Sequence, residues 1–158
     1  MKCISLKTSA IALAVVSLAS CESDKRSFDK PNVVFILADD LGYADLSCLG
    51  QTKFSTPNID GLASRGMLFT QHYSGSSVSA PSRSSLITGQ HTGHTFIRGN
   101  KELPVEGQHP LPSDTYTIFQ MLKDNGYKTS VFGKWGLGAP ATEGAPENQN
   151  VDEFFGYN

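Results

Sequence analysis

The chain has 158 residues, with 13 Lys plus Arg against 15 Asp plus Glu, and its formal charge of −2 excludes a strongly basic surface for nucleic acid. Hydrophobic residues make up 39% and charged residues 18%, a globular composition rather than that of a disordered chain, and the length suits one domain. Cysteine stands only at positions 3, 21 and 48, two of them in the N-terminal segment, so no disulfide scaffold holds the fold.

Residues 1–20 read as an export signal. Lys2 and Lys7 form a positive start, and the run from Ala10 to Leu18 is apolar but too short to span a bilayer. The segment closes with Leu18-Ala19-Ser20-Cys21, which resembles the lipobox of bacterial lipoproteins, in which the Cys is the lipidated residue; an ordinary secretory signal is the alternative. Residues 21–30 read as a polar tether. The expected location is the periplasm or the outer-membrane surface, held to the membrane by a lipid anchor on Cys21.

From Pro31 onward the pattern alternates between strand and helix. Asn32 to Ala38 is a continuous apolar, β-branched run ending in Asp39-Asp40, which predicts a strand buried on both faces of a parallel sheet. Thr56 to Gly66 predicts a helix, with Thr56 as cap, Pro57 at the first position and Gly66 past the end. A second strand is expected over Met67 to Tyr73 and a helix over Ser79 to Gly89. Another helix follows from Thr117 to Asn125 with Gly126 as its stop, then a third strand from Lys128 to Phe132. Gly138 to Asn150 reads as a loop. Helices between apolar strands imply an α/β sandwich with a largely parallel central sheet.

Ligands of such sheets bind at the carboxyl ends of the strands, and three segments there carry chemistry. Adjacent carboxylates repel unless solvated or bridged by a cation, so Asp39 and Asp40 suit a hard divalent ion, or else a solvated pair capping the next turn. Ser79 lies at the start of a helix, where free N–H groups and the dipole favour an oxyanion, and Arg83 lies one turn along; the alternative is a Ser-rich loop with a solvated Arg. Lys134, among glycines at the end of the third strand, suits an anionic group or is a surface lysine in a turn.

These segments resemble the N-terminal part of the formylglycine-dependent sulfatases, in the alkaline-phosphatase superfamily. The matching motifs stand in order as Pro31 to Gly42, Thr56 to Ala63, Ser79 to Gly89 and Gly133 to Trp135. The resemblance implies that Ser79 is converted to formylglycine, with Pro81, Ser82 and Arg83 completing the motif read by a maturing enzyme. Ser rather than Cys at 79 implies the anaerobic, serine-type enzyme as that partner. It further implies a catalytic set of Ser79, Arg83 and Lys134, and a calcium ion held by Asp39, Asp40 and the modified Ser79. The implied substrate is a sulfate ester, sulfated glycans being the class that a surface lipoprotein suggests.

Two departures accompany the resemblance. Many sulfatases carry His two residues after the Gly-Lys-Trp lysine; here that residue is Gly136, and His91 and His94 are either its replacement or ordinary loop histidines. Family members also run to several hundred residues, with further Asp/Asn ligands, a His and a second Lys in segments that this chain does not contain, so the chain reads as a domain cut in mid-fold at Val151 to Asn158. The competing functions are a phosphoester or phosphonoester hydrolase of the same superfamily and a non-catalytic fragment.

Overall fold

The computed structural model describes residues 30–104 and 108–158. The expected signal, Cys21 and most of the tether lie outside the described residues. The described residues divide into two compact units, with the boundary between Leu62 and Ala63.

In the first unit, the run from Asn32 to Ala38 is not a paired strand. It has no ladder partner among the described residues, and it is exposed, with Val34 at 82% and Ile36 at 85%. The expectation of a strand buried on both faces is thus not met here, because such a strand needs neighbours on its edges and layers on its faces. Two one-turn 3-10 helices follow, Tyr43–Asp45 and Ser47–Leu49, and then helix α1 (Pro57–Arg65) begins where its proline predicts. Thr56 ties these pieces together. Its Oγ1 accepts from the Ser47 N–H at 3.0 Å and donates to Asp60 Oδ1 at 2.9 Å, while Asp60 Oδ1 accepts from the Cys48 N–H at 3.0 Å. Desolvation pushes Asp60 up, but donors from Thr56, Ser47 and Cys48 outweigh it and hold the carboxyl below its ordinary range.

The second unit carries helices α2 (Ser79–Thr88) and α3 (Ile118–Asp124) and strands β1 (Ser130–Lys134) and β2 (Glu153–Tyr157). The strands pair in parallel from Ser130↔Glu153 to Lys134↔Tyr157. At their crossing of Gly133 and Gly156 the backbones come so close that a Cβ on Gly156 would lie 1.8 Å from the Gly133 carbonyl oxygen. The expected strand over Met67 to Tyr73 is instead irregular, with a turn at Thr70-Gln71 and Met67 76% exposed. β1 begins two residues later than predicted because Thr129 is engaged elsewhere: its hydroxyl donates to the Asn150 carbonyl at 2.7 Å and its N–H to Asp152 Oδ2 at 2.9 Å.

The predicted loop from Gly138 to Asn150 holds a 3-10 helix, Pro146–Gln149, and much of it is buried. Gln149 explains why. Its Nε2 lies 3.2, 3.1 and 3.0 Å from the carbonyls of Leu111, Pro112 and Glu143, replacing the ladder that this crossover lacks. The core gathers Ala80, Ile87, Ile97, Leu111, Trp135, Leu137 and Val151, with Phe119 and Val131 against it. Trp135 anchors it by donating its indole N–H to the Gly144 carbonyl at 2.7 Å. What results is an α/β arrangement with α2 packed by way of Ala80 and Ile87 into the same core as the residues that follow β1.

Candidate active site

Ser79 is the first residue of α2, and Gly89 closes that helix in the left-handed conformation that glycine adopts without strain. Ser79 and Arg83 stand four residues apart, so both face the same side. The Arg83 Nε–H donates to Ser79 Oγ at 3.0 Å, and Nη1 donates to the Lys134 carbonyl at 2.8 Å. One planar guanidinium thereby fastens the first turn of α2 to the last residue of β1. Pro81 is fully buried and fills the first turn, where its missing N–H costs nothing.

The sequence expectation of free N–H groups at this helix start is met only in part, because several of these donors are absent or already taken. Pro81 has none, the Ser82 N–H bonds the Val78 carbonyl at 3.3 Å, and the Ala80 N–H donates to Asn100 Oδ1 at 3.2 Å. The charged group that meets the Ser79 hydroxyl is Arg83. Nor is the Ser-rich motif solvated. Ser84 is buried with its Oγ 2.5 Å from Thr95 Oγ1, and Ser85 Oγ lies 3.0 Å from Thr92 Oγ1.

Gly136 closes the site beside Ser79. It is buried with φ +71°, and a Cβ placed on it would lie 3.6 Å from Arg83 Cδ and 3.9 Å from Ser79 Oγ. Its N–H donates to Asn158 Oδ1 at 3.1 Å. His91 and His94 follow the other end of α2, about 15 Å along a ten-residue helix from Ser79. There the Gly93 N–H donates to His91 Nδ1 at 3.0 Å, the His94 N–H donates to the His91 carbonyl at 2.7 Å, and the rings meet edge-on, so both serve a turn.

Asp39 and Asp40 belong to the first unit, where both are exposed. Asp40 has φ +56°, a left-handed conformation uncommon outside glycine and better tolerated by Asp than by most residues. Their donor set fits a hard cation, since carboxylate oxygens are what calcium takes. Among the described residues no cluster of three or more His, Cys, Asp or Glu stands around them.

Asn100, Asn158 and the backbone carbonyl of Lys134 escaped sequence reasoning. Each acts through a contact of 20 or more positions' separation that no local pattern announces. The Asn after a Gly, in Arg98-Gly99-Asn100, was the available signal, a polar residue with a side-chain acceptor in a turn.

A serine at a helix start, clasped by an arginine to the carboxyl end of a parallel strand, sets an oxygen beside a positive charge in an α/β arrangement. The comparisons make this specific. The family model described as Sulfatase matches residues 31–158, and the chain belongs to the sulfatase family. It is 44% identical over 128 residues to the N-acetylgalactosamine-6-O-sulfatase of Bacteroides thetaiotaomicron, covering 77% of this chain and 24% of that protein. It is 40% identical over 128 residues to human arylsulfatase A, covering 80% of this chain and 25% of that protein. Among solved structures, that of Ps i-CgsB superposes with a TM-score of 0.71 at 35% identity, over 81% of this chain and 28% of the other. The same protein in complex with k-i-k-neocarrahexaose gives 0.69. The fold is accordingly that of the sulfatases, and the chain spans about a quarter of the length of the curated relatives it matches.

Proposed function

We propose that the protein hydrolyses sulfate esters, with formylglycine made from Ser79 as the nucleophile and calcium held in part by Asp39 and Asp40. The observation that carries this reading is the Arg83 fork, 3.0 Å from Ser79 Oγ and 2.8 Å from the Lys134 carbonyl. It fixes a permanent cation on the oxygen where negative charge gathers, without reorganisation during the reaction.

A serine hydroxyl is a weak nucleophile unless activated, and among the described residues the described partner of Ser79 Oγ is a cation, not a base. Formylglycine, as its hydrate, supplies two hydroxyls on one carbon, one to attack sulfur and one to expel the sulfate. Arg83 orients the oxygen at this position and favours its deprotonated form. Lys134, at the end of β1, brings a second cation to the sulfate group. Pro81, Ser82 and Arg83 present the motif to the serine-type maturing enzyme. Asp39 and Asp40 would hold the calcium ion, which would supply charge stabilisation when bound. Two carboxylates are part of the roughly six to eight oxygens that calcium takes, so other groups complete its shell. The left-handed backbone at Asp40, which costs most L-residues about 1–2 kcal/mol, supports a functional reason for turning that carboxylate. Gly136 cannot move a proton, so sulfate release delivers its proton to another group or to water.

Sulfated glycans are the proposed substrates, supported by the relative named for N-acetylgalactosamine-6-O-sulfate chemistry and by the neocarrahexaose complex of Ps i-CgsB. Export and lipid anchoring at Cys21 complete the proposal. The test is hydrolysis of an aryl sulfate against the matching aryl phosphate by the whole protein, matured in an anaerobic host. Preference for the sulfate, abolished by Ser79→Ala, supports the reading. Preference for the phosphate, or a Ser79→Ala variant as active as the wild type, overturns it.

A further inference from the structure

Helix α2 is poorly suited to form by itself. Half of its residues are Ser or Thr, which compete for the backbone in non-helical conformations, and Val78 at its N-cap makes no side-chain cap bond. What holds it is the segment that follows, which runs back along the helix from its C-terminal end. Thr92 meets Ser85 at 3.0 Å and Thr95 meets Ser84 at 2.5 Å; Ile97 is buried in the core with Ala80 and Ile87. The last tie is Asn100, whose Oδ1 accepts from the Ala80 N–H at 3.2 Å. The ties descend the helix in order, and the final one reaches the turn that carries Ser79.

We propose that Asn100 is a positioning residue for Ser79. The Ala80 N–H belongs to the peptide that joins Ser79 to Ala80, so its direction is set by the ψ angle of Ser79. A partner fixed on that N–H therefore fixes the backbone on which the Ser79 side chain is mounted. With no N–H on Pro81 and the Ser82 N–H already bonded to Val78, Ala80 carries a first-turn donor that needs a partner from outside the helix. Asn100 supplies in trans the oxygen that Val78 lacks. Arg83 then holds the side chain while Asn100 holds the main chain, and the orientation of Ser79 is determined from both sides.

That orientation matters to catalysis only if the proposed sulfatase reaction is right, so the test separates the two. Asn100→Ala and Asn100→Asp, the second keeping an acceptor oxygen, are compared with the wild type in the whole protein. In Asn100→Ala, exchange of the Ala80 amide followed by NMR accelerates about three- to tenfold, the worth of one hydrogen bond, while the amides of Thr95 and Ile97 stay as protected as before. For a small aryl sulfate, kcat falls about ten- to a hundredfold, as a misplacement of about 1 Å does, and KM changes less than about twofold. Asn100→Asp restores both the Ala80 protection and kcat. A purely structural role would instead loosen Thr95 and Ile97 together with Ala80. Unchanged Ala80 exchange in Asn100→Ala, an unchanged kcat, or an Asn100→Asp variant that behaves like Asn100→Ala overturns the proposal. If the wild type is inactive with formylglycine verified at 79, it is the functional reading that fails, and the Ala80 exchange alone then decides for or against Asn100.

Discussion

Replacing Arg83 by Met keeps the aliphatic stem and removes the guanidinium, so its effect isolates the fork. The bonds lost include one to Ser79 Oγ and one to the Lys134 carbonyl, at 3.0 and 2.8 Å. A hydrogen bond to a charged group contributes about 1.5–3 kcal/mol, and the partly buried setting places both at the low end, for about 3 kcal/mol from these two. That is a large part of the roughly 5–15 kcal/mol that holds a domain folded. The bond to Ser79 can be separated from the other by a double-mutant cycle with Ser79→Ala on the unmodified protein, read by urea denaturation. The coupling expected is about 1.5 kcal/mol. Arg83→Lys retains the charge but a single ammonium cannot span both oxygens, so it falls between Met and the wild type. In the matured protein, loss of this charge-stabilising donor lowers kcat by about a hundred- to a thousandfold. A coupling below about 0.3 kcal/mol, or an Arg83→Lys variant as stable and active as the wild type, refutes the reasoning.

Asp39→Asn combined with Asp40→Asn replaces two anionic ligands with weaker neutral ones, and calcium dependence should disappear together with activity; hydrolysis that survives chelation in the unaltered protein argues instead for a solvated pair. Gly136→Ala should cost about 1–2 kcal/mol of stability through its φ of +71° alone, since the added carbon meets Arg83 Cδ at an ordinary 3.6 Å; denaturation that shows no loss contradicts the assigned backbone. Asp152 is held down to about 2 by the Lys123 ammonium and by the Thr129 N–H, so its contribution is present above its ordinary 3.8 and is lost as pH falls towards 2. Asp152→Asn should therefore lower the thermal midpoint at neutral pH and flatten its acid decline between those values; an unchanged acid limb would tell against the pairing.

The helices were legible in the sequence because their signals are local. Pro57 at a first turn, Gly89 in the left-handed region after α2 and Thr117 accepting from the Gln120 N–H at 3.4 Å are cap chemistry within four residues. The strands were less so. Asn32 to Ala38 has the composition of a central strand, but a strand exists only with a partner, and the described residues supply none. β1 is displaced because Thr129 answers to Asp152 and Asn150 rather than to its own neighbours. At the site, Ser79 and Arg83 share a face by helical spacing alone, so their approach was readable. The bond of Arg83 to the main chain of Lys134, the burial of Ser84 and the cap from Asn100 were not, since each depends on how separate elements pack. The free helix amides expected around Ser79 were met only in part for the same reason.

Conversion of Ser79 is the step on which the proposed chemistry depends, and peptide mass mapping reads it directly. After expression beside an anaerobic, serine-type maturing enzyme, the peptide containing Ser79 should be lighter by one pair of hydrogen atoms, with the change assigned to position 79 by fragmentation and lost in Ser79→Ala. The converted fraction should rise and fall with aryl-sulfate turnover across preparations. A Ser79 that stays unmodified in every such host, while the protein still cleaves sulfate esters, would contradict the account.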